Sequence, residues 1–503
     1  MMKPGNSKKI RALTGALLLA AATLTVVCGK AKHYSPAEPC TAGQPDTRWY
    51  ANAIAENPNT AAFTISTANE LAGLAQIVNG TWGGEPARDN FAGKTITLTA
   101  VADLSKYGNW TPIGDYAAGD DNKFAGTFDG GGYVVSNVSI KRAGGSFQGL
   151  FGLVADGKIQ NLRLDSVNIS GRDYVGGIAG YLENSTVANC RSTGTVSGRE
   201  ATGGVAGIAT AKSSVTGSRS AGRVNGREAT GGVAGAVTDG GSVTESYSTA
   251  EVKGTGQNTG GVAGVAENGS VDKSYSTGTV SGTENTGGVA GLVTGKGSVT
   301  NSYSTGAISG TGKNTGGVAG AADNSRITHS YSTGEVSGTE CVGGIAGAAE
   351  RNGNIAHSYS GGKVSGTESV GGIAGYVGSS RVSNCYFAGT VNGEENIGSV
   401  AGSIMGGGLT NSAALNFEVK GANTNTGRIA GFILGGVTLA NNAAFAEMKN
   451  SAGNTAWRNK GASLGDGADI SAAEINADGS IGERFTEEGG WTIENGRLPG
   501  FRQ

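Results

Sequence analysis

The chain has 503 residues, of which 92 are glycine and only 8 are proline, and 16% are charged. Collagen requires glycine at every third position together with abundant proline, and neither occurs here. The 38 basic and 40 acidic residues leave a net charge of −2. This balance argues against charge-driven disorder and against the basic surface of a nucleic-acid-binding protein. High glycine with low charge is instead typical of an array of small repeats.

The N-terminal stretch that ends at Cys28 has the pattern of an export signal. Four basic residues occur within 3–11, and the stretch 12–27 is uncharged. This stretch is shorter than the roughly 20 residues that span a bilayer as a helix, so it favours a signal peptide over a membrane anchor. Cys28 follows directly, as in bacterial lipoprotein signals. Two outcomes stay open: lipidation of Cys28, which would be the only membrane attachment, or cleavage near Ala31. Residues 29–60 are interpreted as an exported linker.

A glycine-rich pentad is the dominant signal in the rest of the chain. It reads GGIAG or GGVAG, with degenerate copies, and begins at Gln148, Gly176, Gly203, Gly231, Gly260, Gly287, Gly316, Gly343, Gly371, Gly398 and Gly427. An aliphatic residue also recurs, at Ile159, Val187, Val215, Val243, Val271, Val299, Ile327, Ile355, Val382, Leu409 and Val437. Members of this second series are equally spaced except for two steps that are shorter by one, so length varies only in the loops on either side of the pentad. Stacked layers require such constant spacing, because each aliphatic side chain lies on its counterpart below.

A repeat of about 28 residues accommodates three short strands with their turns, which is one coil of a parallel β-helix. The candidate strands are the segments GVAG, SVTxSYS and TGxVSG. Helical repeats need about 33–34 residues rich in helix formers, and propeller blades need about 40 residues. We therefore expect an all-β protein, a right-handed parallel β-helix (β-solenoid) of about eleven 28-residue coils over residues 148–440. An N-terminal α/β cap and a C-terminal cap would cover its open ends.

Both expected caps have sequence support. Thr67 to Glu70 reads as a capping box, followed by apolar residues at helical spacing and by Asn79-Gly80 as a helix end. Residues 61–147 are therefore interpreted as the N-terminal cap and first coils. Residues 441–503 are interpreted as the C-terminal cap, because they supply bulky side chains that the repeats lack: Trp457, Phe485, Trp491, Leu498 and Phe501.

The cysteines do not read as a disulfide framework. Cys190 and Cys385 hold equivalent positions seven repeats apart, which at about 4.8 Å per layer is roughly 34 Å and beyond disulfide reach. Cys341 lies in a turn without a neighbouring cysteine. Cys28 could pair with Cys40 only if it is not lipidated.

The pattern GGVAG…SVTxSYSTGxVSG closely resembles the bacterial GLUG repeat. The clearest copies lie at 231–254, 260–282, 287–310 and 316–338, and the resemblance covers about residues 148–440. It implies an exported or surface-attached bacterial protein whose repeat is associated with adhesins and with some large streptococcal IgA peptidases. It implies no chemistry of its own, since the motif carries no catalytic residues and the chain has no HExxH.

Residues suited to catalysis or metal binding are few and follow the repeat. His329 and His357 are one repeat apart, where they could share a metal, but a solvated ladder position is the favoured interpretation. Glutamates recur before the pentad at Glu200, Glu228, Glu284, Glu340, Glu368 and Glu395. A catalytic pair would instead break the repeat once, in one place. Asp115, Asp120 and Asp121 could bind calcium but are better explained as an acidic surface loop. We expect no catalytic residue, no metal and no cofactor.

A column of tyrosines is the most suggestive feature: Tyr247, Tyr275, Tyr303, Tyr331, Tyr359 and Tyr386. It is either an internal aromatic ladder that fills a corner, or an exposed stripe that binds a glycan or a protein. Arg191 and Arg219 hold the same position in earlier coils, and arginine is costly inside a dry core. The arginines therefore favour partial exposure.

These observations favour an exported or surface-anchored, non-enzymatic binding or adhesion rod, located at the cell surface, in the outer membrane as a lipoprotein, or secreted. Its partner would be a surface glycan or protein and not a nucleic acid. The alternatives are a carbohydrate-active enzyme, a polysaccharide lyase or hydrolase, on the same scaffold, and a purely structural envelope spacer.

Overall fold

The computed structural model describes residues 43–116, 122–422 and 425–501. Over these residues the chain forms a parallel β-solenoid of about 13 turns of about 28 residues. The expected parallel solenoid is confirmed, while its handedness stays a prediction. It has more turns than the eleven expected, because Ala62–Ile65, Thr95–Leu98 and Thr127–Asp129 already stack in register below the first repeat. Among the described residues, none of the helices combines the length and the apolar character needed to cross a membrane.

Each regular coil contains five short strands rather than the three predicted. In one coil they are Glu284–Gly287, Ala290–Thr294, Ser298–Thr300, Tyr303–Ser304 and Ile308–Gly310. Each pairs in parallel with its equivalent in the next coil. We number the resulting ladders 1 to 5 in this order. The glutamates before the pentad therefore lie in strands of ladder 1 and not in a turn.

Ladder 1 forms a ten-stranded sheet of its own, and ladders 2 to 5 join in the second sheet. Ladder 1 comprises Asp173–Gly176, Glu200–Gly203, Glu228–Gly231, Gln257–Gly260, Glu284–Gly287, Lys313–Gly316, Glu340–Gly343, Glu368–Gly371, Glu395–Gly398 and Thr426–Gly427. Ladder 2 comprises Phe151–Ala155, Ala179–Glu183, Ala206–Thr210, Ala234–Thr238, Ala263–Glu267, Ala290–Thr294, Ala319–Asp323, Ala346–Glu350, the start of Ala374–Phe387, the start of Ala401–Thr410, and Ala430–Ile433.

Ladder 3 comprises Ala62–Ile65, Thr95–Leu98, Thr127–Asp129, Lys158–Gln160, Thr186–Ala188, Ser214–Thr216, Ser242–Thr244, Ser270–Asp272, Ser298–Thr300, Arg326–Thr328, the start of Asn354–Ser360, parts of Ala374–Phe387 and Ala401–Thr410, and Thr438–Ala440. Ladder 4 comprises Ala102–Asp103, Val134–Ser136, the starts of Arg163–Ser170, Arg191–Ser197 and Arg219–Gly226, then Tyr247–Ser248, Tyr275–Ser276, Tyr303–Ser304, Tyr331–Ser332, the ends of Asn354–Ser360 and Ala374–Phe387, and Ala413–Ala414, Ala443–Phe445 and Ala468–Ile470. Ladder 5 comprises Ser139–Lys141, the ends of Arg163–Ser170, Arg191–Ser197 and Arg219–Gly226, and then Glu251–Gly254, Val280–Gly282, Ile308–Gly310, Val336–Ser337, Lys363–Ser365, Thr390–Gly393 and Val419–Gly421.

The predicted aliphatic series is the buried column of ladder 3. Val271, Val299 and Ile327 pair in register and are fully buried. At its last step the prediction is wrong, because Leu409 pairs with Leu439 and not with Val437. The coil from Leu409 to Leu439 is two residues longer than the regular coils, which the fixed spacing of the earlier coils does not reveal.

A buried serine ladder runs beside this column. The backbone N–H of Ser274 donates to Oγ of Ser302 one coil away (3.1 Å), and that hydroxyl donates to the carbonyl oxygen of Thr300 (2.6 Å). Cys190 and Cys385 hold equivalent positions, since their N–H groups donate to Ser218 and Ser412. Both cysteines are free thiols, as is Cys341. Cys28 and Cys40 lie outside the described residues.

The pentad glycines are required by close backbone approach. A Cβ at Gly287 would lie 1.9 Å from the carbonyl oxygen of Ala290 and 2.6 Å from the nitrogen of Gly320 in the next coil. Real Cβ atoms do not approach backbone so closely, so the pentad admits glycine alone here. The left-handed corners, in contrast, are mostly occupied by asparagine and other non-glycine residues.

Two helices close the N-terminal end. Helix α1 spans Arg48–Glu56, and helix α2 spans Ala68–Val78 with the predicted capping box of Thr67 and Glu70 in place. The interpretation of 29–60 as a linker is therefore wrong for its last part. Tyr50 of α1 is 1% exposed, and its ring lies 5.5 Å from those of Phe63 and Phe91. The aromatic cluster covers the open end of the core.

The C-terminal region does more than close the other end. Two of its strands, Ala443–Phe445 and Ala468–Ile470, extend ladder 4, and a short helix α3 follows at Ala472–Asn476. The guanidinium of Arg428 is completely buried and forms a 2.7 Å ion pair with Asp469. Residues 485–501, the C-terminal segment, then turn back along the outside of the solenoid. Of the five predicted bulky residues, Phe485 and Trp491 are buried, Trp457 and Phe501 are partly buried, and Leu498 is exposed.

Candidate functional site

The tyrosine column lies on the outer face of ladder 4. The serines on either side of the first five tyrosines, such as Ser302 and Ser304, are buried, whereas Tyr303 is half-buried. Alternate side chains of a strand point to opposite faces, so the rings point outward. The corner-filling interpretation is therefore wrong. The tyrosine column is partly exposed, as Arg191 and Arg219 indicated.

The six rings form one continuous stack. Neighbouring centroids are 4.7 to 5.0 Å apart and the ring planes differ by only 1 to 4°. Because each ring covers the face of the next, the column presents ring edges and hydroxyl groups to its surroundings. A guanidinium closes one end, since Arg219 pairs in register with Tyr247 and donates to its hydroxyl oxygen at 3.0 Å.

The other end of the stack is covered by the C-terminal segment. Tyr386 is 3% exposed and donates a 2.6 Å hydrogen bond to the carbonyl oxygen of Pro499. The ring of Trp491 packs against Tyr386 at 5.7 Å, and that of Phe501 packs against Tyr359 at 5.6 Å. The column therefore changes from half-exposed to buried along its length.

Burial raises the pKa of several of these phenols. Burial, and secondarily the neighbouring tyrosine, raises the pKa of Tyr359 to about 12. The pKa of Tyr275 and that of Tyr303 are also raised, again mainly by burial. These three hydroxyl groups are therefore neutral over an even wider pH range than an ordinary phenol.

A second outer column runs beside the tyrosines at the corner between ladders 3 and 4. It comprises Lys273, Asn301, His329, His357 and Asn384, all in the left-handed conformation with φ of 46 to 51°. The histidine rings stack at 5.0 Å, which places both predicted candidates in a ladder. Nε2 of His329 lies 3.3 Å from the carbonyl oxygen of Gly489, and Nε2 of His357 lies 3.4 Å from Nδ2 of Asn384. Within the described ranges, no three His, Cys, Asp or Glu side chains converge as metal ligands.

The two columns form the walls of a groove. The C-terminal segment fills the groove over His357 and Tyr386, and an open cavity of about 410 Å³ continues from Phe501 toward the N-terminal coils. This cavity is lined by Lys273, Tyr275, Asn301, Tyr303, His329, Tyr331 and Phe501. Its volume is in the range of small ligand sites. The sequence predicted the tyrosines of this groove and the ladder position of His329 and His357, but not that the two columns line one groove or that a segment covers one end of it.

The other predicted residues lie apart from the groove. The recurring glutamates follow ladder 1, where Glu340, Glu368 and Glu395 are in register and Nζ of Lys313 lies 2.7 Å from Glu340. Asp115 is almost buried and pairs with Arg142 at 2.9 Å. Asp120, Asp121 and Cys28 lie outside the described residues.

Comparisons with known proteins agree with the repeat. The GLUG motif model matches residues 171–197 and 366–392. Halomucin of Haloquadratum walsbyi is 34% identical over 182 residues, and a protein of Evansella cellulosilytica named as a Gly-rich membrane protein is 38% identical over 89 residues. The matches cover 35% and 17% of this chain but only 2% and 10% of the relatives.

One solved structure can be aligned with most of the chain. It is a Bacteroides ovatus protein named as an immunoglobulin A1 protease, 16% identical, with a TM-score of 0.30 over 88% of this chain and 92% of that one. So low a score carries no argument about activity. What the family model shows is the repeat itself: this chain carries GLUG-motif repeats.

Proposed function

We propose that this protein is a non-enzymatic binding rod that acts outside the cell and holds its partner in the groove beside the tyrosine column. The observation that carries the proposal is the outward stack of Tyr247, Tyr275, Tyr303 and Tyr331. Four neighbouring coils place the same side chain 4.7 to 4.8 Å apart on the surface, beside an open cavity. Aromatic residues, tyrosine in particular, are enriched at binding surfaces.

The arrangement of the acidic residues supports binding rather than catalysis. A catalytic pair of carboxyl groups needs two different environments that separate their pKa values. Glu340, Glu368 and Glu395 instead occupy one position of three successive coils. Glu200 and Glu228 likewise follow each other in register, each 3.6 Å from the arginine that precedes it.

Export rests on residues 1–28 together with a relative that is named as a membrane protein. The product would lack about residues 1–27, with or without a lipid on Cys28. Mass spectrometry of the mature N-terminus tests this. A chain recovered with Met1 intact would contradict export, whereas an unmodified Cys28 would remove only the lipid anchor.

Deletion of whole coils tests the binding function. Removing 271–298 joins Ser270 to Val299, which keeps the register of ladder 3, since Ser270 and Ser298 are partners. It removes Tyr275 and Lys273. The matched control removes 187–214, which joins Thr186 to Val215 in the same way but contains Arg191 instead of a tyrosine.

Both deletions are expected to fold, because the neighbouring faces match. Binding to cells, extracellular matrix proteins or glycans should fall for the first deletion and stay unchanged for the control. The loss should be partial, since contacts repeated along the rod act through effective concentration. If the intact protein degraded a polysaccharide, and deletion of one other coil abolished that activity, the protein would instead be an enzyme. Equal binding by both variants and by the intact chain would contradict the proposal that the partner binds in the groove.

A further inference from the structure

We propose that the open part of the groove, between Tyr275 and Phe501, docks a partner polypeptide that carries an aromatic residue beside acidic residues. This inference rests on the proposed function and names the partner chemistry of the same groove.

The occupied part of the groove shows which chemistry fits. There the C-terminal segment places two aromatic rings, Trp491 and Phe501, 4.6 Å apart against the tyrosine stack. Its backbone carbonyl groups meet the groove walls, at Pro499 on Tyr386 and at Gly489 beside His329. The segment is also acidic: it carries three glutamates within residues 486–496. One of these, Glu487, lines the gap of about 400 Å³ beside the tryptophan.

The open part repeats the geometry of the occupied part. The stack from Tyr275 to Tyr331 has ring spacings of 4.7 and 4.8 Å, against 4.9 and 5.0 Å from Tyr331 to Tyr386. The corner column continues on the other wall with Asn301 and Lys273. Phe501 forms the boundary between the two parts, so an aromatic side chain that enters the cavity meets tyrosine edges on one wall and a further aromatic ring at its end.

The stacking favours an aromatic side chain over a sugar ring. Within the stack each tyrosine face is covered by its neighbour, so the tyrosine wall offers edges and hydroxyl groups. An aromatic ring packs well against ring edges, because the positive edge of one quadrupole meets the negative face of the other. Phe485 of the C-terminal segment shows this arrangement, with its plane turned by 81° from that of Tyr386 and the ring centroids 5.6 Å apart.

Charge in the open part favours an acidic partner. Lys273 is an exposed wall residue whose Nζ is only in a loose 3.8 Å contact with Glu245 of the preceding coil. The amide of Asn301 donates to Asp272 at 2.8 Å, which fixes the neighbouring wall. The described residues that line the cavity include a lysine and a histidine and no carboxylate. An acidic residue beside the docked aromatic ring would therefore lie near a cation.

The test uses the full chain and a fluorescein-labelled synthetic peptide of residues 486–496, TEEGGWTIENG, followed by fluorescence anisotropy. We expect saturable binding that is lost when tryptophan in the peptide is replaced by alanine. In the protein, Tyr303→Ala should weaken binding by about tenfold or more, as expected for an aromatic anchor at the centre of a site. Tyr303→Phe keeps the ring and should change binding by about twofold or less. Lys273→Gln should weaken it several-fold and reduce its salt dependence.

The matched control is Tyr376→Ala, which removes a half-buried tyrosine from ladder 2, on another face of the solenoid. It should bind like the intact protein. Peptide binding that depends on Tyr386 and not on Tyr303 would mean that the peptide merely displaces the C-terminal segment, and would overturn the inference. A groove that binds glycans in a Tyr303-dependent way but not the peptide would overturn the inference and keep the binding rod. If neither the peptide nor any glycan bound, both the inference and the proposed binding rod would be overturned.

Discussion

The hydroxyl group of Tyr386 donates a 2.6 Å hydrogen bond to the backbone carbonyl oxygen of Pro499, 113 residues further along the chain. This contact attaches the C-terminal segment to the side of the solenoid. The attached segment covers one part of the tyrosine stack, and Phe501 marks where the open part begins. The groove therefore has a defined end, which no single repeat specifies.

Replacing Tyr386 by phenylalanine removes this bond and keeps the ring. The carbonyl oxygen of Pro499 loses a buried donor, at a cost of about 1 kcal/mol to the docking of the segment. We expect faster amide hydrogen exchange and faster limited proteolysis within residues 485–501, with the solenoid unchanged. Tyr376→Phe is the matched control. Equal protection of the segment in both variants would show that the aromatic contacts alone hold it.

Two buried hydroxyl columns should respond to substitution with opposite signs. Oγ1 of Thr259, Thr286 and Thr315 is buried without a hydrogen-bond partner, and in the next coil Val342 replaces the threonine in register. Thr286→Val should therefore raise the free energy of unfolding by about 1 kcal/mol, because it removes an unpaired buried polar group. Urea denaturation measures this change.

Ser302→Ala is the opposite case in the same coil. It removes a hydroxyl that accepts from Ser274 and donates to Thr300, so an N–H group is left buried and unpaired. We expect a loss of about 1–3 kcal/mol. If both variants destabilised the protein equally, the threonine column would have to be hydrogen-bonded in solution.

The C-terminal cap should be sensitive to acid. Burial opposes ionisation of Asp469, but hydrogen bonds from Arg428 and Lys460 and their charges outweigh it, so the pKa of this carboxyl is lowered. The stabilisation is present above the unfolded-state pKa of about 3.9 and is lost as the pH falls through the lower folded-state value. Asp469→Asn should therefore lose about 1 kcal/mol at pH 7, given that the carboxylate is partly exposed. Below pH 4 its stability should approach that of the intact protein.

The histidine ladder should give a second pH dependence at milder acidity. Burial, and secondarily His329, lowers the pKa of His357 below its usual 6.5. The unfolded chain then binds a proton more readily, so stability is full above about pH 6.5 and declines as the pH falls toward the folded-state pKa. His357→Asn, which copies Asn384 of the next coil, should remove most of this decline. Thermal unfolding at pH 7.5 and pH 5 compares the two proteins, and an unchanged decline would assign it to other groups.

The sequence alone was sufficient for the parallel solenoid and for its register in the regular coils. Identical side chains at the same position of every repeat leave only one arrangement in which Val271, Val299 and Ile327 stack, because any shift would bury polar residues instead. The capping box of α2 could also be predicted from the sequence, because Thr67 and Glu70 satisfy each other's backbone donors within one turn. The tyrosine column followed from the same periodicity, and Arg219 in its register already indicated an outer position.

The tertiary structure decided what periodicity does not encode. Helix α1 and the C-terminal segment occur once each, so no repeat reveals where they pack, and only contacts such as Trp491 on Tyr386 place them. The division of a coil into five strands depends on left-handed corners at non-glycine residues such as Asn301 and His329, whose conformation follows from stacking on the neighbouring coil. Spacing thus determines which residues lie above one another, whereas the groove depends on long-range packing that a local pattern does not contain.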